Sequence, residues 1–304
     1  MFDSLDHVIV AVSDLGTAVD DYRRLLGLEL SWRGSHPGGG TANALFRLEN
    51  TYIELLAPES SGPDAELLQF WLDVRGEGPL GFAFGVNDLA AVHTELAQRE
   101  LDPAPIEPGQ GRDRRSAAER IWRTSRLSPV ATRGVFTQVI EHISDASSLP
   151  RAQPVDPARP GASVHALDHA VIRSPNADAT CALYGDRLGL RLALDRSFEQ
   201  WGMRLLFFRV GGVTIEIACA LDGAENPDAV ASGTDELDPA EDRFWGLCYR
   251  VRDLEAAGQR LTRSGVEVSE IRDGRKPGTR VATVQSCTHG VATLLLERGD
   301  ESIR

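Results

Sequence analysis

Apolar and polar positions along this chain follow a strand rhythm and a helix rhythm in turn. "LDHVIVAV" (5–12) is a short apolar run with one polar pair near its start, the pattern of a buried strand. "VSDLGTAV" (12–19) follows with an acidic cap ahead of an amphipathic stretch. "VDDYRRLLGLEL" (19–30) keeps apolar residues at helical spacing until Gly27 stops the helix, and a second strand begins. "ANALFRLEN" and "TYIELLAP" (42–58) read as two strands about a tight turn. The predicted order is β-α-β-β-β.

The pattern recurs. Leu5-Asp6-His7 returns as Leu167-Asp168-His169, 162 positions later. In the same register Leu26-Gly27-Leu28 becomes Leu188-Gly189-Leu190, and Ile53-Glu54 becomes Ile215-Glu216. The histidine-to-glutamate distance is 47 residues in both copies. A finer repeat lies inside this one, because "VNDLAAVH" (86–93) and "VRDLEAAG" (251–258) echo "VSDLGTAV" after their own apolar runs. In the third unit "SPNADAT" (174–180) replaces that cap sequence. Four units are therefore expected, near 5–58, 80–143, 166–221 and 244–298, in an α+β fold of tandem βαβββ units. Residues 147–163, "SSLPRAQPVDPARPGAS", carry four prolines and read as an extended linker. It would join one domain at 1–146 to another at 164–304.

Composition narrows the function classes. A chain of 304 residues suits about two domains. The net charge of −13 argues against broad nucleic-acid binding, which needs a positive surface. No apolar run approaches the ~20 residues of a membrane helix. The opening "MFDSLDHVIVAV" lacks the basic and cleavable parts of a signal peptide, so a cytoplasmic protein is expected. Cys181, Cys219, Cys248 and Cys287 show no CxxC spacing and read as buried free thiols rather than a disulfide framework or structural zinc site.

Paired units carrying "LDHV" and "LDHA", "LLGLEL" and "RLGLRL", and the ending "GGVTIEIA" resemble the vicinal oxygen chelate superfamily of glyoxalases, extradiol dioxygenases and bleomycin-resistance proteins. The stretch 35–58 looks like one glyoxalase-like subfamily in particular. The resemblance covers nearly the whole chain. It implies two domains, each with two units curled into a cup. It also implies a divalent metal (Zn, Fe, Mn or Ni) held by one residue on the first strand and one on the last strand of each unit. Carried over position by position, the ligands would be His7 and Glu54 in unit one and His169 and Glu216 in unit three. The same counts land on Gly81 and Gln138 in unit two, and on Gly246 and Leu294 in unit four. The even units thus depart from the pattern, leaving Gln138 as a thin third ligand in the N-terminal cup.

The resemblance implies a metal-dependent enzyme acting on a small oxygen-rich or aromatic molecule through two adjacent oxygens, as an isomerase, lyase or dioxygenase. Glu54, if displaced from the metal, could shuttle a proton, and His36, in the glycine-rich loop "SHPGGGT", is a further base or ligand candidate. Tyr52, Trp122 and Arg123 are candidate substrate-binding residues. The rival reading is a metal-free cup that sequesters a small molecule, with His7–Glu54 and His169–Glu216 as satisfied buried pairs. A pairing of unit one with unit three would instead bring two histidines and two glutamates together. Residues 112–126 hold six arginines, read either as an anion clamp or as a solvated loop and helix with Glu119 as local partner. The acidic stretch 222–242 reads as an insertion between units three and four, and 274–281 as a turn between strands with Lys276 and Arg280 as anion-site candidates. The expected partner is a small molecule, with no nucleic acid and no membrane, in a monomer or homodimer.

Overall fold

The computed structural model describes residues 1–36, 38–116, 118–221 and 241–299. Pro37 and most of the acidic insertion lie outside the described residues. Unit one comprises β1 (Ser4–Ala11), α1 (Leu15–Leu26), β2 (Trp32–His36), β3 (Thr41–Arg47) and β4 (Tyr52–Pro58). After a helix α2 (Pro63–Arg75), unit two repeats it as β5 (Gly78–Gly85), α3 (Leu89–Gln98), β6 (Glu107–Arg112), β7 (Glu119–Arg126) and β8 (Phe136–His142). Unit three holds β9 (Val164–Arg173), α4 (Ala177–Cys181), β10 (Arg191–Phe198), β11 (Met203–Val210) and β12 (Val213–Ala220). Unit four holds β13 (Arg243–Val251), α5 (Leu254–Arg263), β14 (Arg272–Asp273), β15 (Thr279–Val284) and β16 (Ala292–Arg298).

The caps explain where the helices start. Asp14, Asp88 and Asp253 each accept from the backbone N–H three residues on, satisfying a donor the first turn leaves free. Asn176 does the same work in unit three, where the sequence pattern breaks. Its helix then widens into a π-helical stretch, Ala182–Arg187.

Each pair of units forms one eight-stranded sheet. The orders are β2-β3-β4-β1-β5-β8-β7-β6 and β10-β11-β12-β9-β13-β16-β15-β14. Within a unit the first and last strands run parallel, and the two units meet through antiparallel first strands. Units one and three lie in different sheets, so their histidines and glutamates do not converge. In the first sheet the edges approach each other: β2 lies against β6, and Arg114 donates its backbone N–H to the Arg33 carbonyl. The N-terminal cup is thereby drawn nearly into a barrel. In the second sheet the edge strand β10 is almost wholly exposed, and that cup is more open.

Side-chain alternation separates two environments. Val8, Val10, Phe82 and Phe84 on one face join Ala170, Ile172, Leu247 and Tyr249 and the helices in one continuous core. The two sheets therefore pack back to back, with Phe82 and Phe244 in edge-to-face contact at 5.7 Å. The concave faces hold small separate clusters, such as Trp32, Leu45, Tyr52 and Leu149. Helix α2 sits on the concave side, where Leu68 and Leu72 pack on Ala11.

Candidate functional site

The N-terminal cup is built on the parallel pairing of β1 with β4. His7 stands opposite Tyr52, and their rings stack at 4.6 Å. Glu54, two residues on, shares the face of Tyr52. His7 and Glu54 are 2% and 7% exposed, and His7 Nε2 lies 3.3 Å from Glu54 Oε2. Gln138, on β8, brings Nε2 to 3.4 Å from His7 Nε2, while Thr124 donates to its Oε1. The three residues expected as first-cup ligands are thus together. His36 stands one step back, with Nε2 3.3 Å from Asn43 Nδ2, and Asn43 in turn donates to Glu54 Oε1 at 2.7 Å. The Asn43 Oδ1 atom is buried with no partner.

Asp6 fixes the state of His7. Its Oδ2 lies 2.7 Å from His7 Nδ1, and its Oδ1 lies 2.9 Å from His142 Nε2. Burial pushes the Asp6 carboxyl up, but the hydrogen bonds from His142 and His7 outweigh it, holding the group well below the usual carboxylate range. A carboxylate at Nδ1 favours a proton on that nitrogen, and Nε2 faces Glu54 Oε2. A ring nitrogen and a carboxylate oxygen 3.3 Å apart can share a proton or a cation. Rotating the Gln138 amide would put an oxygen, a good metal donor, where its nitrogen now stands.

The cup wall is aromatic and cationic. Arg120 is 6% exposed, with its guanidinium 5.5 Å from the Trp32 ring, 5.5 Å from Tyr52 and 5.9 Å from Trp122. A Cβ at Gly109 would sit 2.1 Å from the Trp122 indole, so glycine there makes room for the ring. Trp122 also meets His36 edge to face at 6.0 Å. Burial pushes the Tyr52 hydroxyl well above the usual tyrosine range, and Asp6 adds to the shift against the opposing effect of Arg120.

Arg123 corrects the expectation made for it. Residues 119–126 form strand β7, not a helix, so Arg123 faces the other side from Arg120 and Trp122. There it pairs with Glu141, whose carboxylate also receives the Leu89 N–H at the start of α3. Sequence reading passed over Arg120, although counting by twos from Trp122 would have found it. It also passed over Asp6 and Asn43, whose roles depend on neighbouring strands.

The C-terminal cup repeats part of this geometry. His169 Nδ1 lies 3.0 Å from Asp168 Oδ2, and His169 Nε2 lies 3.6 Å from Glu216 Oε2. Burial pushes His169 down, but Cys248, Asp168 and Glu216 reverse this and hold it well above the usual histidine range. Among the described residues, Asp168, His169 and Cys248 form the one group of at least three His, Cys, Asp or Glu residues whose ligand atoms all lie within 4.8 Å. The first cup forms no such group, because its third donor is an amide. The even units are closed to a histidine. Gly81 pairs with Phe136 and Gly246 with Ala292, each two residues before the last-strand position. A Cβ would fall 1.9 Å from the Phe136 carbonyl oxygen at Gly81, and 2.6 Å from that of Ala292 at Gly246.

Residues 5–162 match the family described as a glyoxalase-like domain. Residues 168–283 match the glyoxalase/bleomycin resistance protein/dioxygenase superfamily. The chain belongs to the vicinal oxygen chelate superfamily. Among its curated relatives, this superfamily member is 40% identical over 103 residues to the ethylmalonyl-CoA/methylmalonyl-CoA epimerase of Cereibacter sphaeroides, covering 32% of this chain and 72% of that one. Among solved structures it resembles a triple mutant of 4-hydroxymandelate synthase from Streptomyces coelicolor, with a TM-score of 0.68 at 13% identity over 98% of this chain and 93% of that one. A xylose isomerase-like TIM barrel/4-hydroxyphenylpyruvate dioxygenase fusion protein gives a TM-score of 0.61 at 13% identity, over 99% of this chain and 49% of that one. These structural likenesses establish the fold. The relatives are named as enzymes acting on small molecules, and no helix among the described residues is long and apolar enough to cross a membrane.

Proposed function

We propose that the N-terminal cup is the active site of a metal-dependent enzyme acting on a small molecule with two neighbouring oxygens. The observation that carries this reading is the approach of His7 Nε2 to Glu54 Oε2 at 3.3 Å, with the opposite ring nitrogen held by a buried carboxylate. His7, Glu54 and Gln138 would hold the ion. A bound divalent ion supplies Lewis-acid polarisation of a substrate oxygen and stabilises the anion that forms when a neighbouring proton leaves. Asp6 keeps Nε2 of His7 available as a donor. Asn43 anchors Glu54 at Oε1, so Oε2 would hold the ion and, when displaced from it, could take and return a proton, with His36 behind Asn43. Tyr52, Trp122 and Arg120 form the wall that keeps water out. Proton transfer beside a carbonyl would be in keeping with the name of the epimerase relative, whose match spans 103 residues of this chain. The C-terminal half, 164–304, joined through 147–163, would carry its own cup while sharing one core with the N-terminal half.

Metal analysis of untagged protein, followed by proton-exchange assays on acyl thioesters, tests the reading. Near-stoichiometric metal that is lost in His7→Ala, together with solvent deuterium entering the substrate only when metal is bound, is the expected result. Metal-free protein that still binds aromatic ligands would support the sequestering alternative. That alternative draws on the hydrogen bonds from Asn43 and Gln138, which already partner Glu54 and His7.

A further inference from the structure

In the arginine-rich stretch the buried guanidinium is the one without a carboxylate. Arg114, Arg123 and Arg126 pair with Glu59, Glu141 and Asp64, although their side chains are 51%, 42% and 40% exposed. Arg120 is 6% exposed and, among the described residues, forms no ion pair. Physical chemistry favours the reverse, because water satisfies an exposed cation and a buried one needs a counter-charge. With 45 acidic residues against 32 basic ones, the chain does not lack carboxylates to place there. Asp6 and Glu54, which act on the neighbouring Tyr52 hydroxyl, are engaged by His7, His142 and Asn43.

The surroundings of Arg120 are built for it. Gly109 and Gly111 stand opposite Trp122 and Arg120 on the paired strand. A Cβ at Gly111 would lie 3.3 Å from both the Trp122 and the Trp32 rings, and one at Gly34 would lie 2.5 Å from the Trp32 indole nitrogen. Glycine at these positions seats two indoles against β2 and β6, beside the guanidinium. Aromatic rings attract the cation through their faces and leave its five N–H donors largely unspent. Burial pulls the Arg47 guanidinium down, and Arg151 and Arg120 add to the shift, so three cations share this part of the cup. We propose that Arg120 recognises a carboxylate on the molecule that the N-terminal cup takes up, with the flat apolar part of that molecule against Trp32 and Trp122. The guanidinium fork matches a planar carboxylate through two parallel hydrogen bonds, and the anion supplies the charge that the fold withholds. Tyr52, stacked on His7 and 5.5 Å from Arg120, separates this carboxylate from the proposed metal position. The substrate class is therefore a flat acid whose carboxylate is remote from the reacting oxygens. Naming that class rests on the proposed active site, whereas the anion site stands by itself.

Calorimetric titration of the full-length protein with cinnamate and with cinnamamide, its neutral counterpart of the same shape, tests the proposal. Cinnamate is expected to bind at about one equivalent and at least ~10-fold more tightly than the amide. Arg120→Gln is expected to abolish this preference while the amide binds as before. Arg120→Lys, which keeps the charge and loses the fork, is expected to weaken cinnamate alone. Arg123→Gln, on the opposite face of the same strand, is expected to keep the full preference. A wild-type protein that takes up neither compound, or both equally, overturns the assignment without any variant. A preference that survives in Arg120→Gln overturns it as well. The titrations are repeated after chelator treatment: a preference lost with the metal would put the carboxylate on the ion and also overturns the assignment. A preference that persists in the chelated protein supports it whether or not the proposed metal centre is correct, since metal content in His7→Ala reads that centre separately.

Discussion

At the scale of single residues, Asp6 acts on the first cup through the His7 ring. Its removal in Asp6→Asn frees the His7 ring to turn and to change tautomer. Metal affinity measured by calorimetry is expected to fall ~10–100-fold while the fold is retained. The same carboxylate links stability to pH. Its folded pKa is depressed, so its contribution is complete above the unfolded value near ~3.9 and is lost as pH falls toward the much lower folded value. Urea unfolding from pH 6 down to pH 2 should therefore show a steeper acid loss in the wild type than in Asp6→Asn. Equal slopes would mean that Asp6 is not ionised between His7 and His142. Arg120 has a packing role of similar weight. Arg120→Ala strips a cation from three rings and is expected to lower stability by ~1–3 kcal/mol in denaturant melts.

At the scale of elements, register explains what the sequence revealed and what it hid. The repeat allowed positions to be counted from unit to unit, and the parallel pairings place Gly81, Gln138, Gly246 and Leu294 where those counts put them. Counting works because a strand has no slack: one residue of slip moves every side chain to the other face. The arginine-rich stretch was harder to read. Its residues have neither clear strand nor helix periodicity, and only pairing with β6 and β8 makes it a strand. The contact from Asp6 to His142 spans 136 residues and leaves no local signal. Gly81 gives the element-scale prediction. Gly81→Ala drives a methyl group into the Phe136 carbonyl and should destabilise the fold by at least ~1–3 kcal/mol in thermal melts. Gly81→His should fail to restore a fourth ligand, because the strand pair would have to separate to admit it.

At the scale of the whole molecule, the halves are joined through their backs. Arg260 on α5 donates to the Leu25 carbonyl at 2.8 Å, and to those of Arg24 and Ala162, reaching the end of α1. Burial pulls its guanidinium down to about 10. Gly27, with φ of 69°, closes that helix and passes its carbonyl to Ser163 at 2.8 Å. Arg260→Met would orphan these carbonyls at a cost of ~1–3 kcal/mol. Phe82→Ala would cost ~3–5 kcal/mol by opening a void between the sheets. Calorimetry of the wild type should show one transition for both halves, and two resolved peaks would contradict the shared core. This arrangement also bears on any small molecule that a cup releases. With the sheets fused spine to spine, a compound released from the proposed N-terminal site would enter bulk water before it could reach the other hollow. A scavenger added to the medium should therefore intercept whatever that site releases.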